Sequence, residues 1–113
     1  MGQPQGRTGA TLPVALPVIF TQAARLEVID AQDWYEAQAS GLGVRFRAEL
    51  DLAVQRISDN ALQFPIVLHD VRRALLHRFP HYLLFRVEPD AVTVIACFHP
   101  RRDPQQLSFF LNE

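Results

Sequence analysis

The amino-acid sequence predicts an α+β fold in which a helical hairpin packs on a small, mainly antiparallel sheet. Two consecutive segments repeat apolar residues at the spacing of one helical face, and a short link with two glycines separates them. Three short segments rich in Val, Ile, Leu, Phe and Tyr follow, with turn residues between them. The predicted order is β-α-α-β-β-β with a short closing helix, and 113 residues is the size of a single domain.

The chain is expected to begin with a disordered arm. Residues 1–13 contain glycine, proline and polar residues with few apolar ones, whereas residues 14–113 have the composition of one folded domain. Residues 14–20 have the β-branched and aromatic content of a strand. Pro17 lacks the N–H that an internal strand would donate, so this strand is predicted to lie at a sheet edge.

Two helices are predicted next, over residues 22–39 and 44–60, and the residues between them require an antiparallel hairpin. Thr21 is a suitable N-cap for the first helix. Each helix carries one apolar face, formed by Ala24, Val28, Ala31 and Tyr35 in the first and by Phe46, Leu50, Ala53 and Ile57 in the second. Leu26, Ile29 and Trp34 are expected to widen the first face, whereas Glu27, Asp30, Asp33 and Glu36 are expected to form a solvated one.

After a connection over residues 60–70, strands are predicted at residues 73–79, 82–88 and 91–99. Pro80-His81 and Glu88-Pro89-Asp90 supply the turns. The second and third strands are apolar on both faces, so part of the face opposite the helices should also be covered. Asp103 and Pro104 then suit the start of a closing helix over residues 105–111.

The predicted sheet is unusually basic. Six arginines and two acids give residues 71–102 a local charge of +4, although the whole chain has a net charge of −1. Because every Lys or Arg in the chain is Arg, each basic site is a planar fork that suits phosphate or carboxylate. The run His99-Pro100-Arg101-Arg102 lies at the end of the last predicted strand. It suits acid–base cleavage of RNA, a phosphate or carboxylate clamp, or a plain basic rim.

Several classes of protein are disfavoured by the sequence. The four histidines lack the spacing of a metal site, and no glycine-rich phosphate loop is present, so neither a metal nor a cofactor is expected. No apolar run approaches the length of a membrane span. The single Cys97 excludes an internal disulfide and favours a reducing compartment, which predicts a cytoplasmic protein.

Residues 14–105 resemble toxins of the RelE/ParE superfamily, from bacterial type II toxin–antitoxin (plasmid stabilisation) modules. The resemblance is carried by DWYE followed by a glycine turn and RF, by the connection from Asn60 to Pro65, and by the long run VRRALLHRFPHYLLFRVEPDAVTVIACFHPRRDP. It implies two antiparallel helices on a twisted sheet. It also implies that the partner is a cognate antitoxin, which forms a hetero-oligomer with the toxin. It further implies that the C-terminal segment of the antitoxin wraps the toxin.

The resemblance implies one of two targets. RelE-type toxins cut messenger RNA on the ribosome, whereas ParE-type toxins inhibit DNA gyrase. Tyr82 stands where the nucleases carry an arginine, so the chain is closer to the ParE branch, with the nuclease and a non-toxic degenerate homologue as alternatives. The catalytic residues of a nuclease would be Arg73, His99 and Arg102. The residues expected to bind a partner or target are Arg72, Arg73, Arg78, Tyr82, Arg86, His99, Arg101 and Arg102.

Overall fold

Two helices pack on one face of a five-stranded sheet in a computed structural model, which describes residues 15–100. The elements in chain order are β1 (Val18–Phe20), α1 (Gln22–Gln38), α2 (Leu42–Asn60), a 3-10 turn (Ala61–Gln63), β2 (Ile66–Leu68), β3 (Val71–Leu75), β4 (Tyr82–Glu88) and β5 (Ala91–Phe98). The predicted α+β class and helical hairpin are confirmed. The predicted arm over residues 1–13 and the closing helix over residues 105–111 lie outside the described residues.

The strands lie in the order β1-β5-β4-β3-β2, with β1 parallel to β5 and the other neighbours antiparallel. The edge position predicted for the first strand from Pro17 is confirmed. The strand is shorter than predicted, because Leu16 bonds to α2 and not to the sheet. The Leu16 N–H donates to the Ser58 carbonyl at 3.1 Å, and the Ser58 hydroxyl donates to the Leu16 carbonyl at 2.6 Å.

The predicted connection over residues 60–70 was wrong in part, because it contains β2, which pairs with β3. A turn at His69, whose φ is 51°, joins these two strands and starts β3 at Val71, two residues earlier than predicted. β3 also ends early, at Leu75. Its successor Leu76 donates its N–H to the His81 carbonyl at 3.1 Å, which closes a loop where residues 76–79 were predicted to be strand.

The predicted inner faces of both helices are confirmed, since all eight of their residues are buried. Leu26, Ile29 and Trp34 do not widen the first face. Leu26 is 56% exposed and Ile29 is 45% exposed. At 100° per residue these two side chains point away from the stripe that contacts the sheet and α2, so the prediction of a wider face was wrong.

Glu36 belongs to the helix-to-helix turn and not to a purely solvated face. Its carboxylate accepts from the backbone N–H groups of Gly41 and Gly43, both at 2.9 Å. Gly41 has a φ of 87°, in the left-handed region that suits glycine. The N–H groups at the start of a helix have no partner within the helix, and here the Glu36 carboxylate accepts from them. For this reason α2 begins at Leu42, two residues before its predicted start.

Glu27 also leaves the solvated face and binds the sheet. β5 is longer than β1, which pairs only with Val92 to Val94. Beyond that point the Cys97 N–H has no strand beside it, and it donates to Glu27 Oε1 at 2.8 Å. Burial, with a smaller contribution from the Glu27 charge, raises the pKa of the Cys97 thiol to about 12.

The face of the sheet opposite the helices has its own buried apolar cluster, formed by Val71, Tyr82, Leu84, Ala96 and Phe98. This confirms that the central strands are buried on both faces, as their composition predicts. Within residues 15–100 no helix is long and apolar enough to cross a membrane.

Candidate functional site

A groove of about 590 Å³ lies between β1, α1 and α2. Its lining is largely apolar, and the polar side chains on it are Arg25, Arg47 and Asp51. Arg47 forms an ion pair with Asp51, in which Nε lies 3.1 Å from Oδ1. Arg25 forms no ion pair with any described residue. The apolar lining residues are Val18, Ile19, Phe20, Val28, Ile29, Leu50 and Val54. The groove is therefore an apolar surface on which, among residues 15–100, Arg25 has no ion-pair partner.

The free edge of β1 borders this groove. The Pro17 carbonyl accepts from the Val92 N–H at 2.9 Å, and the Thr21 N–H donates to the Val94 carbonyl at 3.0 Å, so these groups face β5. Alternate residues of a strand direct their backbone groups to opposite sides, so the N–H and C=O groups of Val18 and Phe20 face away from β5. Within residues 15–100 no backbone group pairs with them. β1 therefore offers an open edge to a further strand.

The groove was not predicted from the sequence. The one signal available was Pro17, which correctly predicted that β1 lies at an edge. The side chains of the groove come from three elements that are distant in sequence, and their proximity depends on the packing of β1 against both helices.

Two of the predicted site arginines are held by contacts within the protein. Arg72 Nη1 donates to the Phe64 carbonyl at 2.6 Å and to the Leu62 carbonyl at 3.4 Å. Arg86 Nε donates to Asp70 Oδ1 at 3.2 Å in a solvent-exposed ion pair across the β2–β3 turn. These arginines brace the segment before β2 and the turn after it.

Arg73 and Arg78 are exposed and form no ion pair with any described residue. The Arg73 guanidinium carbon lies 5.7 Å from the centre of the Tyr82 ring, on the sheet face opposite the helices. Burial raises the pKa of Tyr82, and the nearby Arg73 charge partly opposes that shift. Arg78 has a φ of 71° in the loop between β3 and β4.

His99 lies on the other side of the sheet, in an aromatic cluster with the helices. Its ring centre is 4.9 Å from that of His81, which is buried and in turn contacts Tyr35 and Phe46. His81 Nδ1 lies 3.4 Å from the Tyr35 hydroxyl. The structure therefore places His99 and Arg73 on opposite faces, and it does not bring them together. Arg101 and Arg102 lie outside the described residues.

The described part of the chain holds no group of three His, Cys, Asp or Glu side chains arranged to bind a metal ion. The candidate surfaces are therefore an apolar groove beside a free strand edge and a set of exposed arginines. Such surfaces suit the binding of a macromolecule through backbone hydrogen bonds, apolar contacts and charge.

No family model matches the chain, and no curated protein matches its sequence. Among solved structures, a chain described as "Chromosomal ParDE TA system from P. aeruginosa" is similar in fold, with a TM-score of 0.65 and 19% sequence identity. The match covers 75% of this chain and 96% of that chain. The two chains therefore share one fold, with two helices on a mixed sheet.

Proposed function

We propose that the chain is a ParE-like toxin of a type II toxin–antitoxin module, which inhibits DNA gyrase by binding it and is neutralised by a cognate antitoxin. The observation that carries the proposal is the groove beside the free edge of β1, on a fold shared with a chain of a ParDE system. A toxin of this kind must offer one surface to its antitoxin and another to its target.

The groove suits an extended segment of an antitoxin. Such a segment adds to β1 as a strand and bonds to the outward backbone groups of Val18 and Phe20. Alternate side chains of the segment then enter the groove and bury its apolar lining. Arg25 favours an acidic residue at one of these positions, because no described carboxylate pairs with it.

The residues proposed to bind the target are those predicted from the sequence. Their contacts within the protein separate them into exposed arginines and arginines that are already bonded. Arg73 and Arg78 have exposed guanidiniums available to a target, whereas Arg72 and Arg86 are engaged within the protein. Binding is favoured over RNA cleavage because Arg73 and His99 lie on opposite faces of the sheet. A catalytic pair must reach the same phosphate, and these two side chains face different surfaces.

The antitoxin site is tested by a pair of charge-introducing variants on α1. Ile29 lines the groove, whereas Leu26 lies one turn away and does not, and both are substantially exposed. We expect Ile29→Glu to weaken antitoxin binding at least about tenfold, since a carboxylate enters an apolar contact. Leu26→Glu should change it less than about threefold, because it lies outside the interface. Equal binding by both variants contradicts the assignment of the groove.

The target is tested with the purified chain in two assays, gyrase supercoiling and translation-coupled cleavage of messenger RNA. Inhibition of supercoiling without RNA cleavage supports the ParE-like function. Cleavage that the Arg73→Ala and His99→Ala double variant abolishes supports the ribosome-dependent nuclease instead. A chain that fails to arrest growth when expressed without antitoxin is a non-toxic homologue, and the proposal is then wrong.

A further inference from the structure

A second exposed surface surrounds Leu75 at the end of β3, and its character differs from that of the groove. Leu75 is 57% exposed. It pairs with Tyr82 of β4, on the face opposite the helices. Arg73 lies two residues earlier on the same strand, so its side chain shares this face and covers the Tyr82 ring.

Two further elements bring an arginine each to the neighbourhood of Leu75. From α2, Arg56 Nη2 donates to the Leu75 carbonyl at 3.2 Å, which fixes a guanidinium beside the end of the strand. The loop that follows Leu75 presents His77 and Arg78, both of which are exposed. We define these five residues, Arg56, Arg73, Leu75, His77 and Arg78, as the Leu75 patch.

The loop is anchored so that His77 and Arg78 face solvent. Leu76 is buried, and the Phe79 ring lies 4.9 Å from that of Tyr35 and 5.3 Å from that of Phe46. Between these two anchors, Arg78 adopts a φ of 71°, in the left-handed region that non-glycine residues rarely occupy. The anchors therefore fix where the loop backbone presents Arg78 to solvent.

The charge of the patch is not neutralised nearby. In the part of the chain that the structure describes, the ion pairs are Arg47–Asp51 and Arg86–Asp70. None of the patch arginines takes part in either pair. The patch is therefore positively charged, although the whole chain has a net charge of −1.

We propose that the Leu75 patch binds an acidic surface of the protein target, and this inference rests on the proposed function. An exposed apolar side chain with arginines on the same strand, on the following loop and beside the strand end has the composition of a protein interface, with an apolar centre and a charged rim. A single-stranded nucleic acid would instead require a longer row of cations and exposed aromatic rings for stacking, whereas Tyr82 is buried.

The patch is tested by charge variants with matched controls on α2. Leu75→Glu and Arg78→Glu alter the patch. Leu52→Glu is the control for the first, since Leu52 is 54% exposed, and Arg45→Glu is the control for the second. The control residues are exposed and line neither the groove nor the patch. Circular dichroism and antitoxin binding verify that each variant is folded.

The measurements are the affinity for purified DNA gyrase holoenzyme and the concentration that halves supercoiling. We expect each patch variant to weaken binding about tenfold and the two together about 100-fold, with controls within about threefold of wild type. Patch variants that bind and inhibit like their controls overturn the inference and leave the proposed function intact.

Two other outcomes identify different errors. A wild-type chain that neither inhibits gyrase nor arrests growth refutes the proposed function itself and, with it, the protein target that the patch requires. Fluorescence anisotropy with a 30-nucleotide RNA and a 30-base-pair DNA supplies the second test. Tight binding of either probe by wild type, lost in the patch variants alone, overturns the inference in favour of a nucleic-acid contact.

Discussion

Replacing Gly43 by alanine should destabilise the protein, because α2 lies against α1 at this position with no room for a Cβ. A Cβ at this position would lie 2.7 Å from the Gln32 carbonyl oxygen and 2.9 Å from Glu36 Oε1. The Gln32 oxygen belongs to a helix backbone, so it cannot rotate away as a side chain would. The two helices would have to separate by about 0.3 Å or more to restore an acceptable contact.

The expected cost of Gly43→Ala follows from two opposing terms. Overpacking against backbone costs about 3 kcal/mol, and the better helix propensity of alanine returns up to about 1 kcal/mol. The net loss of about 2 kcal/mol corresponds to a fall in Tm of about 10 °C for a domain of this size. Urea unfolding followed by circular dichroism measures the free energy, and Ala48→Gly on the exposed side of α2 calibrates the propensity term.

A double variant separates the two neighbours of the new methyl group. Glu36→Ala removes the carboxylate that would lie 2.9 Å from the new methyl carbon, but it leaves in place the Gln32 carbonyl and the Cβ of residue 36, which would lie 3.0 Å away. If the backbone contact causes the cost, Gly43→Ala remains destabilising in the Glu36→Ala background. A Gly43→Ala protein as stable as wild type would refute the reasoning, because the helices would then have room to adjust without loss.

Three further predictions concern Arg72, Glu27 and Cys97. Arg72→Gln should lower the free energy of unfolding by about 1–2 kcal/mol, since it removes the hydrogen bond to the Phe64 carbonyl. Arg73→Gln should change that free energy by less than about 0.5 kcal/mol. Equal losses in urea unfolding would contradict the different roles assigned to the two arginines. Glu27→Ala should cost about 1–2 kcal/mol by leaving the Cys97 N–H without an acceptor, and Glu27→Gln should recover part of that loss in the same measurement. Cys97, with a pKa of about 12 in the folded state, stays protonated where the unfolded thiol ionises. Its contribution to stability is therefore complete below about pH 8.5 and lost as the pH rises towards 12. By pH 10 wild type should lose about 1–2 kcal/mol more than Cys97→Ala does, and parallel pH profiles would show that the thiol is not the cause.

The helical hairpin was predictable because its information is local. Ala24, Val28, Ala31 and Tyr35 repeat at helical spacing, and all four side chains are buried as that spacing requires. The start of α2 was not predictable in the same way. It depends on a carboxylate of α1 that reaches the N–H groups of Gly41 and Gly43, and this contact exists only after the hairpin has closed.

The sequence predicted that the sheet is rich in arginine, but it did not predict which arginines are exposed and which are bonded within the protein. Arg72 and Arg73 are adjacent in sequence, and successive strand residues point to opposite faces, so one binds the Phe64 carbonyl and the other remains exposed. Which arginine takes which role depends on where β3 begins. The sequence placed that start at residue 73, because the three-residue β2 and its turn at His69 were too short to recognise.

The two proposed surfaces lie far enough apart to be occupied separately. The groove borders β1 on the helix side of the sheet, whereas the Arg73 and Leu75 side chains of the Leu75 patch lie towards the end of β3 on the opposite face. In the order β1-β5-β4-β3 these strands are three spacings apart, or about 14 Å. An antitoxin segment that fills only the groove therefore leaves Leu75 uncovered.

Neutralisation should then require more of the antitoxin than the segment that binds the groove. On the proposed function, we expect a peptide limited to that segment to bind this chain while gyrase binding persists, since the Leu75 patch remains accessible. The full-length antitoxin should abolish gyrase binding, which would require its remaining chain to cover the patch. Competition measured by surface plasmon resonance, with immobilised gyrase, distinguishes the two. If the short peptide alone displaces gyrase, the groove and the target site overlap, and the separation of the two surfaces is refuted.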